Sequence, residues 1–148
     1  MGQLVRVPKI ILEKTIRAKR ERVFGIVANY ENFQNLLPQY FTSVRVRSVR
    51  ENTAVVEEHL QVGSREFVMM TKHVTKYPEI HEVFVIGGDA KGSHFVEQFE
   101  SVPDGTKLTV NANIKLGGIS KFVGVFAKKK IALEFGKIMD EFAKIAET

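Results

Sequence analysis

The chain has 148 residues, 44% hydrophobic and 26% charged, the composition of a globular chain of one domain's length with a sizeable core, which excludes disorder. It holds 11 Phe and no Cys, which rules out disulfides, thiolate nucleophiles and cysteine-held zinc and makes a cytoplasmic location the default expectation. Its 22 Lys and Arg against 17 Asp and Glu give a net charge of +5, a mild bias toward anions that selects no partner by itself.

Met1–Leu12 lacks the continuous apolar segment of a signal peptide, and Arg6 stands where N-myristoylation requires Ser or Thr. No apolar run reaches the roughly 18 residues of a membrane-spanning helix. Within residues 4–17, Ile10, Leu12 and Lys14 alternate with Ile11, Glu13 and Thr15, which predicts a first strand with one face on a core. Arg20–Ala28 sets Val23, Phe24 and Val27 on one side of a short helix. Asn29 is a candidate N-cap for a second helix carrying Phe33, Leu36 and Leu37, which Pro38 closes. From Val44 to Leu116 the apolar period becomes two and turn residues recur at short spacing, the pattern of an antiparallel meander. Strands are predicted near 43–51, 53–62, 65–76, 80–86, 93–102 and 106–116, divided by Gly63-Ser64, Tyr77-Pro78-Glu79, Gly87–Gly92 and Asp104-Gly105. Gly117-Gly118 ends the sheet, Ser120 is a candidate N-cap, and proline-free Lys121–Glu147 predicts a helix of about 40 Å. Its buried stripe is Ile131, Phe135, Ile138 or Met139, Phe142 and Ile145, with Gly136 as a point of close approach to the sheet.

These elements describe an α+β fold in one domain over residues 1–148: a curved seven-stranded antiparallel sheet, two short helices after the first strand, and a long C-terminal helix across the concave face. A curved sheet and a straight helix cannot touch everywhere, so a cavity between them is expected. A turn centred on Asp104-Gly105 pairs Phe99 with Val110, Glu97 with Ala112 and Phe95 with Ile114. Thr109, Asn111, Asn113 and Lys115 occupy the other face, so the phenylalanine side faces the helix and carries Glu97 inward. The Gly63-Ser64 turn groups Val56, Glu58, Leu60 and Val62 with Phe67, Met69, Thr71 and His73, again on the inward face.

The order of elements, the closing helix and the stretch Val23-Phe24-Gly25-Ile26-Val27-Ala28-Asn29-Tyr30-Glu31-Asn32-Phe33-Gln34-Asn35-Leu36-Leu37-Pro38 resemble the polyketide cyclase/dehydrase and lipid-transport superfamily, which includes START domains and birch-pollen-allergen-like proteins. The stretch is most similar to the coenzyme-Q-binding and ribosome-association-toxin branch, with Gln39 and Tyr40 where the quinone binders often carry Trp and Cys. The resemblance covers nearly the whole chain and implies a helix-grip fold whose cavity takes lipids, quinones, polyketides or other apolar ligands.

The leading functional expectation is therefore binding or transport of a hydrophobic small molecule, without cofactor or metal. The expected lining is Leu37, Val56, Leu60, Met69, Phe95, Phe99, Val110, Ala112, Ile114, Phe122 and Phe126. A second expectation is a cyclase- or dehydratase-type enzyme, in which His73 and His81 converge near the cavity with Glu58 or Glu97 as an acid/base group. The spacing of the four histidines fits no metal motif, and Gly87–Gly92 departs from a phosphate loop because Ser93, not Lys, follows its last glycine. That segment reads as a hairpin loop near the cavity mouth. Lys128, Lys129 and Lys130 read first as a solvated face; as a docking patch they give a third expectation, transient contact with a membrane surface or ribosome, with no specific DNA binding.

Overall fold

The computed structural model describes the backbone of residues 9–116 and 121–148 and the side chains of residues 9–116 and 129–148. Seven strands form one antiparallel sheet: β1 (Lys9–Ile16), β2 (Phe41–Arg50), β3 (Thr53–Val62), β4 (Arg65–Lys76), β5 (Ile80–Gly88), β6 (His94–Val102) and β7 (Gly105–Asn113). Their order is β1-β7-β6-β5-β4-β3-β2, so six strands meander and the first adds to the far edge beside the last. Period-two patterning produces this directly: in β7, Thr106, Leu108, Val110 and Ala112 are buried while Lys107, Thr109, Asn111 and Asn113 are half-exposed. β1 matches it, with Ile16 buried at the β7 end and Ile11 turned outward.

Between β1 and β2 lie α1 (Arg20–Val27), a 3₁₀ turn (Tyr30–Asn32) and the single-turn α2 (Phe33–Leu36). α1 buries Val23, Phe24 and Val27, the three positions its spacing puts on one face. The C-terminal helix α3 (Lys121–Ala146) buries Ile138, Met139, Phe142, Ala143 and Ala146 against the same core. Phe142 meets Phe33 at 5.4 Å and Phe41 at 6.1 Å between ring centroids, which ties α3 to the helix pair and to β2. Each large side chain removed from water here contributes roughly 1.5–3 kcal/mol. Polar ties fix the same end: Arg22 Nε donates to the Ala146 carbonyl at 2.8 Å and the Arg17 N–H donates to Glu147 at 2.8 Å.

Several local expectations are corrected. The β6–β7 turn is centred on Pro103-Asp104, with Val102 paired to Gly105. Gly105 belongs to the ladder because it packs on the β1 backbone with φ +143°, where a Cβ would come within 2.2 Å of the Ile16 carbonyl oxygen. The register slips by two residues, setting Phe99 opposite Leu108, Glu97 opposite Val110 and Phe95 opposite Ala112. An even slip keeps every side chain on its face, so the inward assignment stands. The second helix divides into the 3₁₀ turn and α2, and Asn29 makes no capping side-chain bond. A Cβ at Gly136 would meet nothing within 4 Å, so no close approach of the sheet requires glycine at this position. The Gly87–Gly92 hairpin is pinned to β4: the Asp89 carboxylate accepts from Val68 N–H at 2.9 Å, and Asp89 N–H donates to the Val68 carbonyl at 2.9 Å. The expectations for residues 1–8, Gly117-Gly118, Ser120, Phe122, Phe126 and the Lys128 side chain fall outside the described residues.

Candidate functional site

Four neighbouring strands each turn one ionisable side chain inward: Glu58 from β3, His73 from β4, His81 from β5 and Glu97 from β6. His81 and Glu97 are direct cross-strand partners, while His73 stands opposite Val83, which makes His81 its diagonal neighbour. Glu58 lies opposite Met69, two further positions along, and Thr71 fills the gap. The result is an oblique, continuous hydrogen-bonded row. Glu58 Oε2 lies 2.8 Å from His73 Nε2, and His73 Nδ1 lies 2.8 Å from His81 Nε2. His81 Nδ1 then bonds Glu97 Oε1, and the Thr71 hydroxyl donates to Glu58. The row spans three strand spacings, roughly 14 Å.

Its side chains are almost wholly out of water, His73 and His81 at 1% and Glu58 and Glu97 at 5% and 6% exposure. Burial pushes the Glu58 carboxyl up, but the charge and hydrogen bond of His73, helped by Thr71 and His81, outweigh it and hold Glu58 below the usual carboxylate range. Tyr30 packs its ring 4.8 Å from that of His73, and burial, with the Glu31 charge second, raises its phenol.

The row forms one wall of a cavity of about 80 Å³ whose other walls are apolar. Leu60, Met69, Val83 and Phe95 come from the sheet, Val27, Phe33 and Phe41 from the helix pair and β2, and Phe135, Ile138, Met139 and Phe142 from α3. A second cavity of about 60 Å³ lies beside it, lined in part by Val62, Phe67, Ser93, Ile114 and Ile131. Leu60, Met69, Phe95 and Phe135 line both. The stacked rings of Phe95 and Phe135, 5.6 Å between centroids, are therefore a partition between the two spaces. A wider, open surface groove of about 920 Å³, bordered by Arg17, Lys19, Arg20, Glu21 and Asp104, contains none of the expected site residues.

Of the expected residues, Leu60, Met69, Phe95 and Ile114 border these cavities, and Glu58, His73 and Glu97 join in the row. Leu37, Val56, Phe99, Val110 and Ala112 are buried at 3% exposure or less but are packed into the core without bordering either space. Phe99, for instance, is closed over by Phe24 at 4.9 Å. Lys129 and Lys130 are exposed. Sequence reasoning placed Phe135 and Phe142 on the helix stripe and Val27 and Phe33 on the helix pair, but gave none of them a place at the cavity. Thr71 was placed inward with no role, although its position beside His73 on the same strand face was the available signal. Among the described residues no group of three potential ligands could hold a metal ion, and no helix is long and apolar enough to cross a membrane.

The sequence match and the fold place the chain in a known class. The family described as "Polyketide cyclase / dehydrase and lipid transport" matches residues 8–147, and the chain belongs to it. A structure from Thermus thermophilus superposes with a TM-score of 0.80 at 16% identity, covering 93% of this chain and 95% of that one. The Zhui aromatase/cyclase from Streptomyces sp. R1128 gives 0.80 at 9% identity, with 95% and 93% covered. A START superfamily protein from Mycobacterium smegmatis gives 0.72 at 13% identity, with 94% of each chain covered. At these identities the likeness is one of fold, the helix-grip arrangement of a curved sheet around a long C-terminal helix. No curated protein matches the sequence.

Proposed function

We propose that this chain is a one-domain binder or carrier of a hydrophobic small molecule, held between the sheet and α3. The observation that carries the reading is the space between sheet and α3 whose walls are apolar on every side but one. The family's description, which names polyketide cyclases and lipid transport, supports it, and the aromatase/cyclase and START-superfamily neighbours share the fold. At about 80 and 60 Å³ the two spaces are smaller than the roughly 300–1,000 Å³ of a typical ligand site. Uptake therefore requires the Phe95 and Phe135 rings to turn aside and join them. Met69, flexible and shared by both, can follow.

Native mass spectrometry of the protein from its own host, with organic extraction of what it carries, tests the reading. A stoichiometric apolar compound is expected. Phe95→Trp, which fills the space at the partition, should abolish uptake with the fold intact. An empty protein that takes up nothing from a panel of apolar compounds would refute the reading.

The row supports a second reading, acid/base catalysis of the cyclase or dehydratase kind on the bound molecule, because a carboxylate and an imidazole face the cavity in hydrogen-bonded sequence. It predicts turnover that Glu97→Gln removes while ligand uptake persists. Full turnover in that variant would exclude Glu97.

A further inference from the structure

The protons that the row can hold limit what it can face. Each of its three contacts between residues needs one proton: Glu58 to His73, His73 to His81, and His81 to Glu97. If both imidazoles were neutral with both carboxylates ionised, two lone pairs would meet across the 2.8 Å between His73 Nδ1 and His81 Nε2. If both imidazoles were cationic, two N–H groups would collide there. Three protons are the fewest that satisfy every contact, and with neither free carboxylate oxygen protonated the row then carries one net negative charge. That charge belongs to the row and not to one residue.

Two further observations concern this charge. No lysine or arginine is among the described residues lining the cavity. Glu58 Oε1 and Glu97 Oε2 accept no hydrogen bond from a described residue, the bonds within the row going to the other oxygen of each carboxylate. The Glu58 and Glu97 side chains are 6% and 8% exposed, and both border the cavity. An uncompensated charge in such surroundings is costly, and a cation delivered by the ligand removes the cost.

We propose that the row is a subsite for a protonated amine, and that the ligand is an apolar skeleton bearing one ammonium group. The ammonium donates to Glu58 Oε1 or Glu97 Oε2 while the skeleton lies against Leu60, Met69, Phe95 and Phe135. This assignment rests on the ligand-binding reading above and specifies the head group that reading leaves open.

Calorimetric titration at neutral pH with octylammonium, octanol and octanoate tests it, because the three probes share one tail. Octylammonium is expected to bind about tenfold or more tighter than octanol, the gain of a charge-assisted over a neutral hydrogen bond, and octanoate not at all. Glu58→Gln with Glu97→Gln should remove the ammonium preference and leave octanol binding in place. The single Glu97→Gln substitution, which keeps the Glu58–His73 end, serves as the second variant if the pair unfolds, and should weaken the preference. Equal affinity for octanol and octylammonium in the wild type, or a preference that is undiminished in the glutamine variants, would overturn the amine subsite alone. Failure of all three tails to bind would overturn the cavity reading with it.

Discussion

Phe135→Ala separates a packed core from a ligand space held shut by a partition. Phe135 is half-buried on α3, stacks on Phe95 and borders both cavities. Removing its ring adds on the order of 100 Å³ and joins the two spaces, at roughly 24 cal/mol per Å³ of residual cavity plus a transfer contribution. A fully buried Phe→Ala costs roughly 3–5 kcal/mol; for a half-buried ring about 2–3 kcal/mol is expected. In a chain of this size that lowers Tm by about 5–10 °C. Urea denaturation measures the loss, and titration with an apolar probe such as benzene measures uptake, since the enlarged space is walled mostly by apolar side chains. Stability loss together with a large gain in uptake is the expected pair. Stability loss with no gain would show that the core collapses around the missing ring, and the partition argument would be wrong.

Gly136→Ala should stabilise the protein by about 1 kcal/mol, because the added methyl meets nothing and the helix loses a flexible residue; an unchanged urea midpoint would contradict this. Gly105→Ala should destabilise it by well over 1 kcal/mol, since the new Cβ is driven into the Ile16 carbonyl, and a wild-type midpoint would refute the ladder placement. Glu58 has a folded-state pKa below its ordinary 4.5, so its contribution is complete above that value and is lost as pH falls through the lower folded value. The wild type should therefore lose stability on acidification below about pH 4.5, and Glu58→Gln should be less stable at neutral pH with a flatter acid limb. Parallel acid limbs for the two proteins would remove Glu58 from the acid response.

The fold was legible because its signals are local and repeated. Period two from Val44 onward, glycine turns and a proline-free closing helix each point to one architecture, and the even register slip at Pro103-Asp104 left the inward face unharmed. The site was legible only by face. Each of Glu58, His73 and Glu97 could be placed inward from its own hairpin, yet their connection runs diagonally across four strands, past a register shift between Met70 and Thr71. Hairpin parity does not fix such diagonals. The expected lining was read from face alone, and inward on the sheet is not the same as bordering the cavity. Near α1, Phe24 closes over Phe99, whereas Phe95 meets Phe135 of α3 at the border of the cavity.

Strand pairing alone does not call for ionisable groups at the four positions of the row. On the same sheet face, Leu60, Phe67, Val83, Val85, Phe95 and Ala112 are apolar. A buried set of ion pairs gives little net stability, because desolvation cancels most of the attraction, and replacing such a set by apolar residues of similar size is often neutral or stabilising by about 1–4 kcal/mol. Removing one member, in contrast, leaves its partner charged and unpaired, at roughly 3–5 kcal/mol. The combined substitution Glu58→Leu, His73→Leu, His81→Leu and Glu97→Leu should therefore give a folded protein at least as stable as the wild type, while His81→Leu alone should be strongly destabilised. The combined variant should still take up octanol and show no preference for octylammonium. If it fails to fold, the row is a structural tie across β3 to β6; if it folds and keeps the preference, the cation is held elsewhere. A stable variant that loses the preference would leave ligand recognition as the physical reason for placing four ionisable groups where apolar ones would suffice.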